Sequence, residues 1–147
     1  MAAKNILVVP TDFSERSLTA LAWVRKMAEA MQADIRCIYV VEEPQIYSTL
    51  DMGPVAVPSV TELVKSAEEH LDAFIKANIK AFGSAPKASV LVGRPAEEIV
   101  SYAKDNDATM IVMTTHGYSG VKHLLLGSTT EGVLRHASCP VLSIRTT

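Results

Sequence analysis

Short continuous apolar runs alternate with stretches of helical period along this chain. Ile6-Leu7-Val8-Val9 is a run of the first kind, as expected of a strand covered on both faces. It ends at Pro10-Thr11-Asp12, and Ser14 with Glu15 behind it reads as the N-cap and first turn of a helix. Leu18, Leu21, Ala22, Ala28 and Met31 can share the inner stripe of that helix. Ile35–Val41 forms a second strand. The segment Glu42–Ser59 carries Pro44, Gly53, Pro54 and Pro58, which oppose regular structure, and a connection this long is often functional. Val60, Leu63, Val64, Ala67, Leu71, Phe74, Ile75 and Asn78 then follow the helical period, and Gly83 and Pro86 stop the helix. Ala88–Val92 is a third strand. Gly93-Arg94-Pro95 turns into a helix with Pro95 at its first position, Glu97 and Glu98 at its positive end, and Ile99, Val100 and Ala103 inside. Thr109–Met113 is a fourth strand, about Ser128–His136 a last helix, and Val141–Ile144 a fifth strand. Strands and helices alternate throughout, which points to a parallel sheet with helices on both faces.

Composition narrows the class without naming a chemistry. The chain has 147 residues, 48% hydrophobic and 20% charged, which suits one domain with a single core. A net charge of −2 gives no broad basic surface for nucleic acid and no polybasic tract for an anionic membrane. No apolar run approaches the roughly 20 residues that cross a bilayer. Met1–Asn5 leads straight into the first strand without the layout of a signal peptide, so cytoplasm is the expected compartment. Cys37 falls in a strand and reads as a small core residue; Cys139 precedes Pro140 at a strand entrance, and a disulfide between them is not expected.

Chemistry concentrates between Thr114 and Thr130. The run Thr114-Thr115-His116-Gly117 is followed by nine residues and then Gly127-Ser128-Thr129-Thr130 at a helix start. A connection of about 13 residues stands where 2–6 is usual. Gly117 and Gly120 allow close backbone approach, and the helix start offers unpaired N–H donors and a positive dipole end. This combination suggests a phosphate cradle. Ser128-x-x-Glu131 also reads as a capping box, which would account for Ser128 without a ligand. Asp12, at the end of the first strand, can accept hydrogen bonds from a ribose hydroxyl or an adenine amino group, or can cap the Ser14 helix or shape the turn. Val41 can present its main chain to an adenine edge or be simple core. His116 can contact phosphate or pack in its loop, Arg94 can reach a phosphate or remain solvated, and Lys122 and His123 add positive charge to the loop.

Other signatures are missing. There is no Walker A sequence, no GxGxxG after the first strand and no nucleophile elbow. His70, His116, His123 and His136 share no metal-ligand spacing, so no dedicated metal site is expected; magnesium carried by a nucleotide can use phosphates and waters.

The chain resembles the universal stress protein family over nearly its whole length. The likeness is carried by Pro10-Thr11-Asp12-Phe13-Ser14, by Gly93-Arg94-Pro95-Ala96-Glu97-Glu98-Ile99, by Cys139-Pro140-Val141-Leu142, and by the family motif G-x2-G-x9-G-[ST]. Gly117, Tyr118–Leu126 and Gly127-Ser128 match that motif, and Thr114 stands at its first glycine. The match is more similar to the ATP-binding branch than to the branch of universal stress protein A. The resemblance implies a three-layer α/β sandwich, adenine nucleotide alpha hydrolase-like, with a five-stranded parallel sheet in the order 3-2-1-4-5. It implies that Asp12 and Val41 hold adenosine, with Pro10 and Thr11 beside them. Met113, Thr114, His116 and Gly117 would line ribose and phosphate, and Gly127, Ser128 and Thr129 would meet the phosphates. ATP or AMP, with or without magnesium, is the implied ligand. A homodimer joined at the last strand is implied too, because Val141, Leu142 and Ile144 would otherwise leave an apolar edge open. Three functions follow as expectations: a nucleotide-binding stress or signalling module, a slow ATPase, and a nucleotide-free interaction dimer.

Overall fold

A computed structural model describes residues 3–42, 58–115 and 126–145. The elements run β1 (Asn5–Pro10), α1 (Glu15–Met31), β2 (Ala33–Val41), α2 (Val60–Ala77), α3 (Ile79–Phe82), β3 (Lys87–Val92), α4 (Pro95–Asp105), β4 (Met110–Thr114), α5 (Ser128–His136) and β5 (Val141–Ile144). The five strands are parallel and lie in the order β3-β2-β1-β4-β5, as expected.

Helices cover both faces of the sheet. On one face Leu21, Val24 and Ala28 of α1, Leu71 and Ile75 of α2 and Phe82 of α3 pack on Leu7, Val9, Ile35, Cys37 and Val112. On the other, Ile99 and Ala103 of α4 and Val133 of α5 pack on Val8, Ile38, Ile111 and Met113. Alternate residues of β1 thus serve opposite layers, which is why its apolar run is unbroken. Cys37 is fully buried, and that burial pushes its thiol up to about 12, so it packs as a neutral hydrophobe.

Three details depart from the periodicity. The stripe of α1 that faces the sheet is Ser17, Ala20, Leu21, Val24 and Ala28; Leu18 and Ala22 are exposed. Apolar residues on α1 spread over more than one stripe, so spacing alone did not fix the buried one. On α2, Val60 is exposed, while Ala67, Leu71 and Ile75 are buried. The helix then breaks at Asn78, whose side-chain amide donates to the Phe74 carbonyl at 2.8 Å. That bond competes with the backbone ladder, and the short α3 follows, anchored by buried Phe82. Gly83, at φ 79°, closes it in the left-handed region that suits glycine.

Candidate functional site

A cleft of about 640 Å³ opens at the carboxyl ends of the strands. It lies between β1 and β4, where the connections change direction, the place where open α/β sheets present their ligand sites. Pro10, Thr11 and Asp12 line it from β1 and the turn after it, Tyr39, Val40 and Val41 from β2 with Glu42 just after it, and Met113 and Thr114 from β4. Gly127, Ser128, Thr129 and Thr130 line it from the start of α5, with Leu63 of α2 and Pro95 and Ile99 of α4 completing the wall.

The β1–α1 turn is held by its own short polar side chains. The Thr11 amide donates to the Ile38 carbonyl at 2.9 Å, tying the turn to β2. Thr11 Oγ1 accepts from the Phe13 amide at 3.1 Å, and Asp12 Oδ1 accepts from the Ser14 amide at 3.0 Å. Asp12 therefore shapes the turn and also faces the cleft. Ser14 caps α1 by accepting from the Ser17 amide at 3.3 Å. These bonds hold Phe13 at φ 65°, uncommon for an aromatic residue, and its ring stacks on Tyr39 with centroids 4.5 Å apart. Tyr39 is pushed up from its ordinary phenol range, by burial first and then by the neighbouring Asp12 and Glu42 carboxylates. Its hydroxyl stays protonated and able to donate.

The opposite end of the cleft is built from backbone. Gly127 is the N-cap of α5 and offers no side chain to the helix start. Its φ of −69° and ψ of 157° are open to any residue, so the conformation does not demand glycine there. The Gly127 amide donates to the Thr115 carbonyl at 2.7 Å, and Thr130 Oγ1 donates to the Thr114 carbonyl at 2.8 Å, locking α5 to the end of β4. The Glu131 amide makes the first bond inside the helix, to Gly127 at 3.0 Å. Ser128, Thr129 and Thr130 thus carry the amides that no carbonyl of the helix can reach.

Two expectations change here. The Gly127 amide is committed to Thr115, so the donors at the helix mouth come from the residues after it. The capping box at Ser128 does not form: Ser128 is the first helical residue, one position beyond the cap, and Glu131 pairs with Arg135 at 2.9 Å. Arg94 is solvated, its side chain 84% exposed and 3.6 Å from Glu97.

Of the residues expected at a ligand site, Pro10, Thr11, Asp12, Val41, Met113, Thr114, Gly127, Ser128 and Thr129 meet in this one cleft. His116 and Gly117 lie outside the described residues, as do Gly120, Lys122, His123 and most of the Glu42–Ser59 segment. Tyr39, Glu42, Ser17, Leu63, Pro95 and Ile99 line the cleft without having been expected there. The strand period pointed to Tyr39, two residues before Val41 on the same face of β2.

The model of the universal stress protein family matches residues 4–145, nearly the whole chain. The chain belongs to the universal stress protein family. It is 33% identical to the universal stress protein MJ0531 of Methanocaldococcus jannaschii over 139 residues, 95% of this chain and 81% of that protein. It is 30% identical to MJ0577 of the same organism, covering 95% of this chain and 93% of that one. A solved structure of MJ0577 matches the fold with a TM-score of 0.78 at 28% identity over 99% of both chains. A universal stress protein solved in complex with cAMP shares the fold with a TM-score of 0.70 at 23% identity, over 99% of this chain and 100% of its own. Among the described residues, no helix of this universal stress protein is long and apolar enough to cross a membrane.

Proposed function

We propose that this universal stress protein binds an adenine nucleotide, ATP or AMP, in the cleft and acts as a cytoplasmic stress or signalling module of the ATP-binding branch. The observation that carries this reading is the bare start of α5, which opens into the same cleft as the Asp12 turn. One end supplies amides, hydroxyls and a positive dipole end for phosphate oxygens. The other supplies carboxylates that accept from ribose hydroxyls, and the Val41 main chain beside them suits an adenine edge. Thr114 and Met113 lie between the two ends, where a ribose and first phosphate would pass, and His116 and Gly117 are assigned to the same stretch. Magnesium, where bound, would ride on the phosphates. The cAMP held by a protein of the same fold supports an adenine ligand.

Calorimetric titration with ATP and AMP tests the reading. Saturable heat with a matching rise in thermal midpoint is expected; no heat and no shift at millimolar nucleotide overturns it.

The protein is also proposed to form a homodimer through β5. This strand ends the sheet, its four residues are half-buried, and Ser143 Oγ is buried without a hydrogen-bond partner. Sedimentation equilibrium should return twice the chain mass, and a single-chain mass at all concentrations rejects it.

A further inference from the structure

The opposite edge of the sheet has its own groove. β3 pairs with β2 and, among the described residues, with no other strand. An edge strand presents main-chain N–H and C=O groups that can pair with an added strand. β3 carries little that blunts this: its one charge is Lys87 at the first position, and it has no proline. Beside it, a cavity of about 250 Å³ lies between β3 and α2. Leu71, Ala88 and Val90 supply its apolar lining, and Glu68 and Asp72 of α2 supply its charge. Leu71 is 1% exposed, and Ala88 and Val90 pack against the core cluster that contains it, so that lining is fixed. Glu68 and Asp72 are exposed, stand one helical turn apart on one face, and form no ion pair among the described residues.

We propose that β3 takes up an extended segment of a partner protein as a sixth strand, with a lysine or arginine directed at Glu68 and Asp72. A lysine suits both parts of the groove: its methylene stem covers the apolar lining while its ammonium reaches the carboxylates. A second copy of this chain is a poorer occupant. Two β3 strands pairing antiparallel about a two-fold axis normal to the sheet keep both α2 helices on one face. Glu68 and Asp72 of one copy would then face the same carboxylates of the other. The charge of the groove therefore selects a basic partner segment, by a route independent of the nucleotide cleft.

The probe is a capped, fluorescein-labelled peptide of alternating lysine and threonine, titrated by anisotropy and paired with amide hydrogen exchange. Because the Gly93 amide donates to Val41 of β2, the amides of Ala88, Val90 and Val92 face the open edge. Saturable binding, slowed exchange of these three amides and a loss of at least tenfold in affinity in the Glu68→Lys/Asp72→Lys variant are expected. Both side chains are exposed, and an unchanged thermal midpoint verifies the fold of the variant. A glutamate–threonine peptide should not bind. Absence of saturable binding, equal binding of the acidic peptide, indifference to the charge reversal, or protection away from β3 each overturns the proposal. Doubling of mass with β3 protection and no peptide present overturns it in favour of a second copy.

Discussion

α1 and α5 both begin at the carboxyl end of the sheet, and they begin in opposite ways. At α1 the Ser14 hydroxyl accepts from the Ser17 amide and Asp12 fixes the approach, so one donor of the helix start is satisfied by its own cap. At α5 the cap is Gly127, with no side chain to offer, and the amides of Ser128, Thr129 and Thr130 face outward from the helix. The other two helices that follow strands resemble α1 more than α5. Ser59 and Glu62 close a capping box on α2, and α4 opens with Pro95, which has no N–H, and with Glu97 and Glu98 in its first turn. A helix that leaves its start open costs stability relative to one that fills it, since a Ser, Asn or Asp cap outranks most alternatives. The contrast teaches where the fold keeps donors in reserve: at the start of α5, opening into the cleft that the Asp12 turn also lines.

Substitutions at the two starts should separate sharply. Gly127→Val places a branched side chain at the α5 mouth; loss of a charge-assisted hydrogen bond contributes about 1.5–3 kcal/mol, so ATP affinity by calorimetry should fall about ten- to a hundredfold. Unchanged affinity would remove α5 from the site. Gly132→Ala asks whether the position of α5 is set by its packing. The added Cβ would lie 2.7 Å from Ala96 Cβ on α4, so a change that favours an isolated helix should here cost about 1–3 kcal/mol in denaturant unfolding. Ser14→Ala should cost about 1 kcal/mol of stability, the loss of a cap, while ATP affinity stays within about twofold. Parallel loss of both would mean that the α1 start also serves the ligand. Gly127→Asp has the smallest effect on stability and the most telling sign. A carboxylate cap at the positive end should stabilise by about 0.3–1 kcal/mol in thermal unfolding while excluding nucleotide. Retained binding with that gain would break the comparison.

The architecture was legible because each strand is a short apolar run and each helix after it carries a stop or start signal. Ser14, Pro95 and Gly83 punctuate the chain as local chemistry predicts. Ser128 was ambiguous for a physical reason. The pattern Ser-x-x-Glu suits a capping box, yet the box needs serine in extended backbone, and Gly127 occupies that place instead. Tyr39 escaped notice because a tyrosine within an apolar strand reads as core; only the fold brings its hydroxyl near Asp12 and Glu42. The period of α1 suits Leu18 and Ala22 as inner residues because the helix has apolar residues on several sides, and contact with the sheet chooses among them. The groove beside β3 joins residues some twenty positions apart in sequence, and no local pattern links them.

Trp23, the single indole of the chain, sits on the outer side of α1, 48% exposed, with the Lys26 ammonium 5.0 Å from its ring centre. Its emission is therefore set by water and by a neighbouring cation while the core is still intact. Fluorescence excited at the indole band therefore reports on the outer surface of α1, and circular dichroism or tyrosine signals are the spectroscopic reporters of the core.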